Sequence, residues 1–572
     1  MYILFSFKFQ IKSKSSTLNI KQEPADTANS PIIYDGFIED DGVTIKNESP
    51  ASQIHEHQPL ELLKGLPAAD SIQDKNEKRK KKKENTSTNF VTFQRQQEQQ
   101  LSEIRNKLRI SVIGTNTPWP LESFNELVTR FNVNPVIVNN LEEAGFKTPT
   151  PIQAQAIPTM LEGRQILGCA PTGSGKTAAF LIPVLHHLKG PLKKGYRSVV
   201  VCPTRELARQ TYRECTRLSE GTGLRTNIVN KVSLDKDKFN LKSSKKFDIL
   251  ITTPNRLVYL LKQEPPKVDL KNVEWLIVDE SDKLFEAGIR GFRDQLAVIY
   301  NACSSSTIKR AMFSATQTPH LTKWCRKNLK NLVLVNIGVR NSAVETVKQE
   351  LLFVGSEAGK LVAFRNLINR GLTPPVLVFV QSKERAQELF NELVYDGINV
   401  DVIHSDRTQK QRDNVIRSFR EGKVWVLICT ELMGRGIDFK GVNLVVNYDF
   451  PPSSISYIHR IGRTGRAGRQ GRAVTYFTQD DTTNLRSIAR LLKNAGCEVP
   501  EYMLTMKKSN KSDRKKLEKK APHRESISTT PIYEKELKRK RKRNKAKQKG
   551  EKKMKMGAAE SKDSQCGAQS EK

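Results

Sequence analysis

The sequence predicts two tandem α/β domains, each built on a parallel β-sheet, with disordered tails at both ends. Three observations predict it. Short continuous Val/Ile/Leu runs recur between about Leu121 and Pro500, the texture of strands buried on both faces. Helix-length segments separate those runs, and this alternation specifies a parallel sheet with helical crossovers. The texture restarts once, after Asn341, and 572 residues exceed the roughly 250–300 that one core accommodates.

Residues 1–105 are read as mostly disordered. They are polar, with an acidic patch around Asp35–Asp41 and a basic run from Lys78 to Lys83, and offer little apolar surface to offset ordering entropy. Gln94–Ile110 has the composition of a short polar helix. Met1–Gln10 is apolar but short and broken by Lys8, so it reads as an alternative start or an unusual tail rather than a secretory leader.

The first domain is predicted over 121–338, with strands at Gln165–Cys169, Ser198–Cys202, Phe247–Ile251, Val273–Val278 and Ala311–Phe313. The second is predicted over 345–500, with strands at Pro375–Val380, Val400–Ile403, Val424–Ile428 and Leu444–Tyr448 and a helix through Lys383–Tyr395. Two such units meeting at a cleft place their strand ends and loops around a shared ligand. Residues 501–572 revert to charged, low-complexity sequence and are read as a basic disordered tail.

The formal net charge is +35, which points to a polyanionic partner such as nucleic acid. The excess is uneven: Lys507–Lys555 holds 22 Lys and Arg against 6 Asp and Glu, so nearly half of it sits in one tail. The eight cysteines form no CxxC pair and no Cys/His cluster, which excludes a zinc site of ordinary spacing and fits a reducing compartment. No apolar run approaches the ~18–20 residues that span a bilayer, so no membrane partner is expected.

Three motifs carry chemistry. Ala170-Pro171-Thr172-Gly173-Ser174-Gly175-Lys176-Thr177 is a Gly-rich turn between a strand and a helical pattern. Its glycines let the backbone approach phosphate oxygens, and the following helix N-terminus offers free N–H groups to the anion. Lys176 is placed to reach the β- and γ-phosphates, and the Thr177 hydroxyl to ligate magnesium. Asp279-Glu280-Ser281-Asp282 ends another apolar strand. There Asp279 can meet the metal through water, and Glu280 can orient and deprotonate the attacking water. Far downstream, Arg463 and Arg466 stand three apart in a Gly-rich loop, and guanidinium forks suit phosphate geometry. By residue type alone the lesser alternative is a basic RNA-facing loop.

Together with Ser314-Ala-Thr316 and His459–Arg466, these segments resemble the DEAD-box RNA helicases of superfamily 2. Gly145–Gln153, Pro203–Ala208 and Thr253–Arg256 fit the same family in the expected order, and the resemblance runs from about Phe124 to Asp480. It implies two RecA-like lobes and an RNA-stimulated ATPase with ATP and Mg2+ as cofactors. It implies that Gln153 hydrogen-bonds the adenine, that an upstream aromatic stacks on it, Phe124 by choice with Phe131 as its competitor, and that Asp438 binds the ribose. Arg463 and Arg466 would reach the γ-phosphate on closure, with Asp282, Ser314, Thr316, His459 and Arg460 coupling that closure to hydrolysis. Arg205, Thr253, Arg256, Gln409, Arg412 and Thr430 would contact RNA.

The chain departs from the family pattern in places. Ser281 replaces the family's alanine, Glu431 and Gly434 differ from the commoner Asp and Ala, and Ser405 stands where Gly is usual. Val229–Ser233 occupies the region of an expected glycine pair. These departures resemble the branch acting in small ribosomal subunit assembly. That implies structured pre-rRNA and pre-ribosomal particle proteins as partners of a monomeric core, in the nucleus and nucleolus. The clusters Lys78–Lys83 and Lys538–Arg543 read as import signals or as solvated RNA-binding tails, and the two uses are compatible. A clamp, annealing factor or scaffold of the same fold is the alternative function.

Overall fold

The computed structural model describes residues 95–229, 244–286, 291–339, 346–431, 439, 441–466, 469–519 and 522–527, plus three positions beyond. Asp438 and Gly434 lie outside the described residues, as does most of the predicted N-terminal tail.

The first lobe is an eight-stranded sheet. Its strands are β1 (Ile110–Ile113), β2 (Gln165–Cys169), β3 (Ser198–Val201), β4 (Thr226–Ile228), β5 (Ile249–Thr252), β6 (Trp275–Val278), β7 (Lys309–Ser314) and β8 (Leu332–Ile337). Their order is β1-β8-β2-β7-β6-β3-β5-β4. All pairings are parallel except β1 on β8, which is antiparallel. Every residue of β3, β5 and β6 is buried, because helices cover both faces.

The second lobe is a six-stranded parallel sheet of β9 (Val347–Phe353), β10 (Val376–Val380), β11 (Val400–Ile403), β12 (Val426–Thr430), β13 (Leu444–Asn447) and β14 (Gly471–Phe477). Their order is β11-β12-β10-β13-β14-β9. The predicted helix Lys383–Tyr395 is present with those bounds.

Register places the site. Cys169 at the end of β2 is paired with Ser314 at the end of β7, and Val201 of β3 with Val278 of β6. The next residues continue the ladder: Ala170 N–H bonds Ser314 O at 3.1 Å and Asp279 N–H bonds Val201 O at 3.0 Å. Parallel strands in register thus bring the phosphate loop, the carboxylates and Ser314–Thr316 to one sheet edge.

The lobes are larger at both ends than the sequence predicts. Residues 95–107 are helical and tied down by Arg105, whose guanidinium donates to Gln155 Oε1 at 3.0 Å and Thr117 Oγ1 at 2.8 Å. β1 then adds to the sheet edge, so 95–113 belongs to the first lobe. At the other end, helices Glu501–Thr505 and Lys511–Lys519 follow the second lobe. Residues 522–527 pack on it, with Ile527 buried against its core. The low-complexity reading missed this because the anchoring residues are polar and spaced without period.

Candidate active site between the lobes

The phosphate loop joins β2 to the helix Lys176–Leu188. Gly173 and Gly175 have φ of 79° and 88°, the left-handed region that favours glycine. Gly175 is also required by a close approach: a Cβ there would meet Gln153 Nε2 at 2.4 Å. That Gln153 amide donates to Gly175 O at 3.1 Å, while its carbonyl accepts from Thr150 N at 2.9 Å. Thr150 Oγ1 in turn donates to Ser174 O at 2.7 Å. The helix Pro151–Leu161 is therefore stitched by its capping box to the loop. Gln153 is fully buried, so its observed work is holding the loop, a use that the expected adenine contact did not anticipate.

Lys176 Nζ donates to two carbonyls of its own loop, Ala170 O at 2.8 Å and Pro171 O at 3.0 Å. Burial lowers its pKa, and the nearby Arg463 guanidinium pushes the same way, against the pull of Glu280, Asp279 and Asp282. The ammonium thus sits among three carboxylates and an arginine that approaches from the other lobe.

The carboxylate motif follows β6. Glu280 adopts φ 49° and ψ 49°, a left-handed conformation unusual for a residue with a Cβ, and it caps the short helix Ser281–Leu284. Its own N–H bonds Asp279 Oδ1 at 2.9 Å. Burial, followed by the Glu280 charge, pushes the Asp279 carboxyl up to about 7. Glu280 Oε2 is buried and has no hydrogen-bond partner among the described residues. A crowded, under-compensated set of carboxyl oxygens on Asp279 and Glu280 suits a hard divalent cation, which takes oxygen ligands.

The second lobe contributes the helix Ser454–Ile461 and the turn after it. His459 Nε2 lies 2.5 Å from Asp282 Oδ2, and the same oxygen accepts from Thr316 Oγ1 at 2.7 Å. His459 Nδ1 lies 3.9 Å from Glu280 Oε2. Ser314 Oγ supports Thr316 by accepting its N–H at 3.1 Å and donating to its carbonyl at 2.8 Å. One carboxylate oxygen thus ties β7 of the first lobe to a helix of the second. Thr172 Oγ1 adds a second tie, donating to Gly462 O at 2.7 Å.

These ties bring the arginines in. Arg463 is 2 % exposed, its Nε donating to His459 O at 3.1 Å. Arg466 bonds Gly462 O at 3.0 Å, and its stem lies over the phosphate loop: a Cβ on Gly173 would sit 3.3 Å from Arg466 Cγ. Arg460 is buried, donates to Asp449 O at 2.8 Å, and lies over the Phe379 ring at 5.4 Å. Lys176 and Arg463, 287 positions apart in the sequence, face one site.

A second set of predicted residues meets at another seam. Arg205 and Thr253 stand at the starts of the helices Arg205–Leu218 and Pro254–Leu261. Arg256 is lowered to about 10 by burial and then by Arg205 and Arg209, so three guanidinium groups share one patch. From the second lobe, Gln409 donates to Glu206 Oε1 at 3.0 Å, and Arg412 Nε lies 3.3 Å from the same oxygen. Arg209 and Asp413 add an ion pair across the seam at 2.5 Å. Sequence reading missed Glu206, Arg209 and Asp413, although Glu206 stands inside a motif that it quoted. Thr430 ends β12 and is half-buried.

Phe124 does not have the geometry expected of a base-stacking ring. It is 4 % exposed and lies in the first lobe's hydrophobic core, edge-to-face with Phe146 at 6.4 Å. Its ring faces are taken up by packing, because the segment before the helix Pro135–Glu143 folds onto the core rather than over the cleft.

Comparison with known proteins gives this geometry a family. The DEAD/DEAH box helicase family profile matches residues 150–324, and the helicase conserved C-terminal domain matches 359–468. The Bos taurus protein named probable ATP-dependent RNA helicase DDX52 is 56% identical over 483 residues, covering 84% of this chain and 80% of that protein. The chain belongs to the DEAD-box ATP-dependent RNA helicases. ATP-dependent RNA helicase ROK1 of Meyerozyma guilliermondii is 41% identical over 440 residues, covering 76% of this helicase and 81% of ROK1. Among solved structures, S. cerevisiae Dbp5 bound to RNA and ADP BeF3 is similar at 25% identity with a TM-score of 0.57. The likeness covers 70% of this helicase and 99% of that chain. The two parallel-sheet lobes are RecA-like, and the helicase is an ATP-dependent enzyme that acts on RNA.

Proposed function

We propose that this helicase hydrolyses ATP only when its lobes are closed on RNA, and that closure is transmitted through Asp282. The observation that carries the reading is the single carboxylate oxygen of Asp282 shared by Thr316 and His459. Because His459 O also holds Arg463, forming this node sets the arginine against the phosphate loop. Lys176, Gly173 and Gly175 hold the triphosphate, and Arg463 and Arg466 meet the charge developing on the transferred phosphoryl group. Asp279 and Thr177 would hold magnesium, which would supply neutralisation of phosphate charge. Glu280 orients the attacking water and takes its proton.

RNA lies along the seam of Arg205, Arg209, Arg256, Gln409, Arg412 and Thr430, where guanidinium groups and helix N-termini suit a phosphate backbone. Both ligands favour the closed form, so each raises the occupancy of the other. Closure distorts the bound strand and opens a short duplex locally. The RNA is structured pre-rRNA in small-subunit assembly, met with pre-ribosomal proteins in the nucleolus by a monomeric core. The net charge of +35 and the Ser281 form of the carboxylate motif support that assignment. Sequencing RNA crosslinked to the protein in cells tests it; reads spread evenly over messenger RNA would overturn it.

The mechanism is tested with Glu280→Gln. That variant is expected to bind ATP and RNA as the wild type does, to close, and to lose multiple turnover. Wild-type steady-state hydrolysis by the variant would remove Glu280 from the reaction.

A further inference from the structure

The second lobe contains a buried set of charged side chains that its own domain does not balance. Asp449, at the end of β13, is buried and accepts from Arg385 at 2.7 Å and Lys360 at 3.2 Å. Glu357 pairs with the same two bases, at 2.9 Å from Arg385 and 2.7 Å from Lys360. Asp481, also buried, adds a third carboxylate, and Arg460 with Glu431 adds a cation and an anion beside Asp449, so among the described residues four carboxylates face three cations. Arg524 supplies the fourth cation from beyond the helix Lys511–Lys519. Its guanidinium donates to Glu357 Oε1 at 2.6 Å, Asp481 Oδ1 at 2.6 Å and Gln381 Oε1 at 2.9 Å. Burial opposes the charge on Arg524, but Asp449, Asp481 and Glu357 outweigh it and hold its pKa above the usual arginine value. An uncompensated buried carboxylate is costly, so the lobe's own residues call for this arginine.

The neighbours of Arg524 are seated as well. Gln381 Nε2 donates to Pro522 O at 2.6 Å, and Ile527 N–H bonds Glu388 Oε2 at 2.9 Å. Ser526 Oγ bonds Glu388 Oε1 at 2.8 Å, and Arg385 donates to Glu525 O. The segment 522–527 is thus a strap across the helix Lys383–Tyr395.

The strap lies next to the catalytic seam. Gln381 N–H bonds Asp449 Oδ2 at 2.9 Å, and the Asp449 carbonyl receives Arg460 at 2.8 Å. Arg460 precedes the turn that carries Arg463 and Arg466. We infer that the strap is a working part of the second lobe, and that Arg524 is a positioning residue which, through Gln381 and Asp449, fixes Arg460 and the arginine-bearing turn for closure. The inference rests on the functional reading above. It also gives the basic sequence beyond residue 527 a fixed exit point on the second lobe.

The test uses the full-length helicase. Arg524→Ala is expected to lower kcat for RNA-stimulated ATP hydrolysis at saturating RNA on the order of tenfold, the scale of a small misplacement near the chemistry. Nucleotide affinity without RNA, a property of the first lobe, is expected to stay unchanged. Because Arg524→Ala leaves a buried charge and can impair folding, the paired variant Arg524→Gln with Asp481→Asn removes one cation and one anion together. It is expected to fold and still show the fall in kcat. Wild-type kcat in that folded pair would overturn the proposal. Arg460→Ala run alongside separates the failures. If Arg460→Ala keeps wild-type turnover, the functional reading fails and the strap proposal with it; if only the Arg524 variants keep it, the strap proposal alone fails.

Discussion

Gly462→Ala isolates lobe closure from lobe folding. Gly462 has φ −65° and ψ 7°, a conformation any residue adopts, and within the second lobe an alanine Cβ would meet Ile458 O at 3.1 Å, which a shift of a few tenths of an ångström relieves. Its Cβ, however, would sit 2.3 Å from Thr172 Oγ1 of the first lobe, where ordinary contact begins near 3.4 Å. Either the lobes part by about 1 Å, or Thr172 rotates and gives up its bond to Gly462 O. The lost bond is worth ~0.5–1.5 kcal/mol, and the residual clash raises the total to roughly 1–3 kcal/mol. At about 1.4 kcal/mol per tenfold, RNA-stimulated kcat/KM should fall ~5–150-fold. Thr172→Ala alone should cost only the bond. In the double variant the obstruction between the lobes is gone and only the 3.1 Å approach to Ile458 O remains, so the double should lie close to Thr172→Ala rather than at the sum of the two. Steady-state ATPase at saturating RNA measures all three proteins, and thermal melts check that each folds. If Thr172→Ala failed to rescue Gly462→Ala, or if Gly462→Ala turned over normally, the closed contact would not be the one that hydrolysis uses.

Three further outcomes follow from the same geometry. Asp279 is raised from the usual carboxylate range to about 7, so between those values the folded protein holds a proton that the unfolded chain has released. Without nucleotide, stability should therefore fall as pH rises through that window, by at most about 1.4 kcal/mol per pH unit. Asp279→Asn should remove this component; denaturant curves that run parallel for wild type and variant from pH 5 to 8 would refute it. Gly175→Ala places a Cβ 2.4 Å from Gln153 Nε2 at φ 88°, so it should weaken nucleotide binding at least tenfold, on the order of 2 kcal/mol of strain and lost hydrogen bond. Equilibrium binding of a fluorescent nucleotide reads this directly, and wild-type affinity would count against the stitched loop. Truncation after residue 530 keeps the strap and removes the Lys538–Arg543 cluster. It should flatten the salt dependence of RNA binding by ~0.7 in log–log slope for each phosphate the tail neutralises, and an unchanged slope would exclude the tail as a contact.

Much of this protein is legible in one dimension. Continuous apolar runs gave nine of the strands, and the glycines and lysine of 170–177, the carboxylates after β6 and the paired arginines each announced their chemistry by type and spacing. β1, β4, β8, β9 and β14 were not read. β1, β4 and β9 are sheet edges: β1 buries one residue of its four, β4 is three half-buried residues, and β9 runs Val-Lys-Gln-Glu before its apolar end. Edge strands lack the buried runs that mark central ones. β8 and β14 lie inside their sheets, and their buried apolar residues, Val333–Val335 and Ala473–Val474 with Tyr476–Phe477, carry the same signal as the strands that were read.

What the sequence by itself determined is local chemistry, since a phosphate loop or a buried strand depends on residues a few positions apart. Only the tertiary structure decided how those pieces are used. It turned Gln153 toward the loop rather than outward, packed Phe124 into the core, and set His459 on Asp282 across 177 positions. It also converted Arg524 from one basic residue among many into the counter-charge of a buried acidic socket. The reason is that the cost of burying a charge depends on every group brought near it by folding, and that sum has no counterpart along the chain.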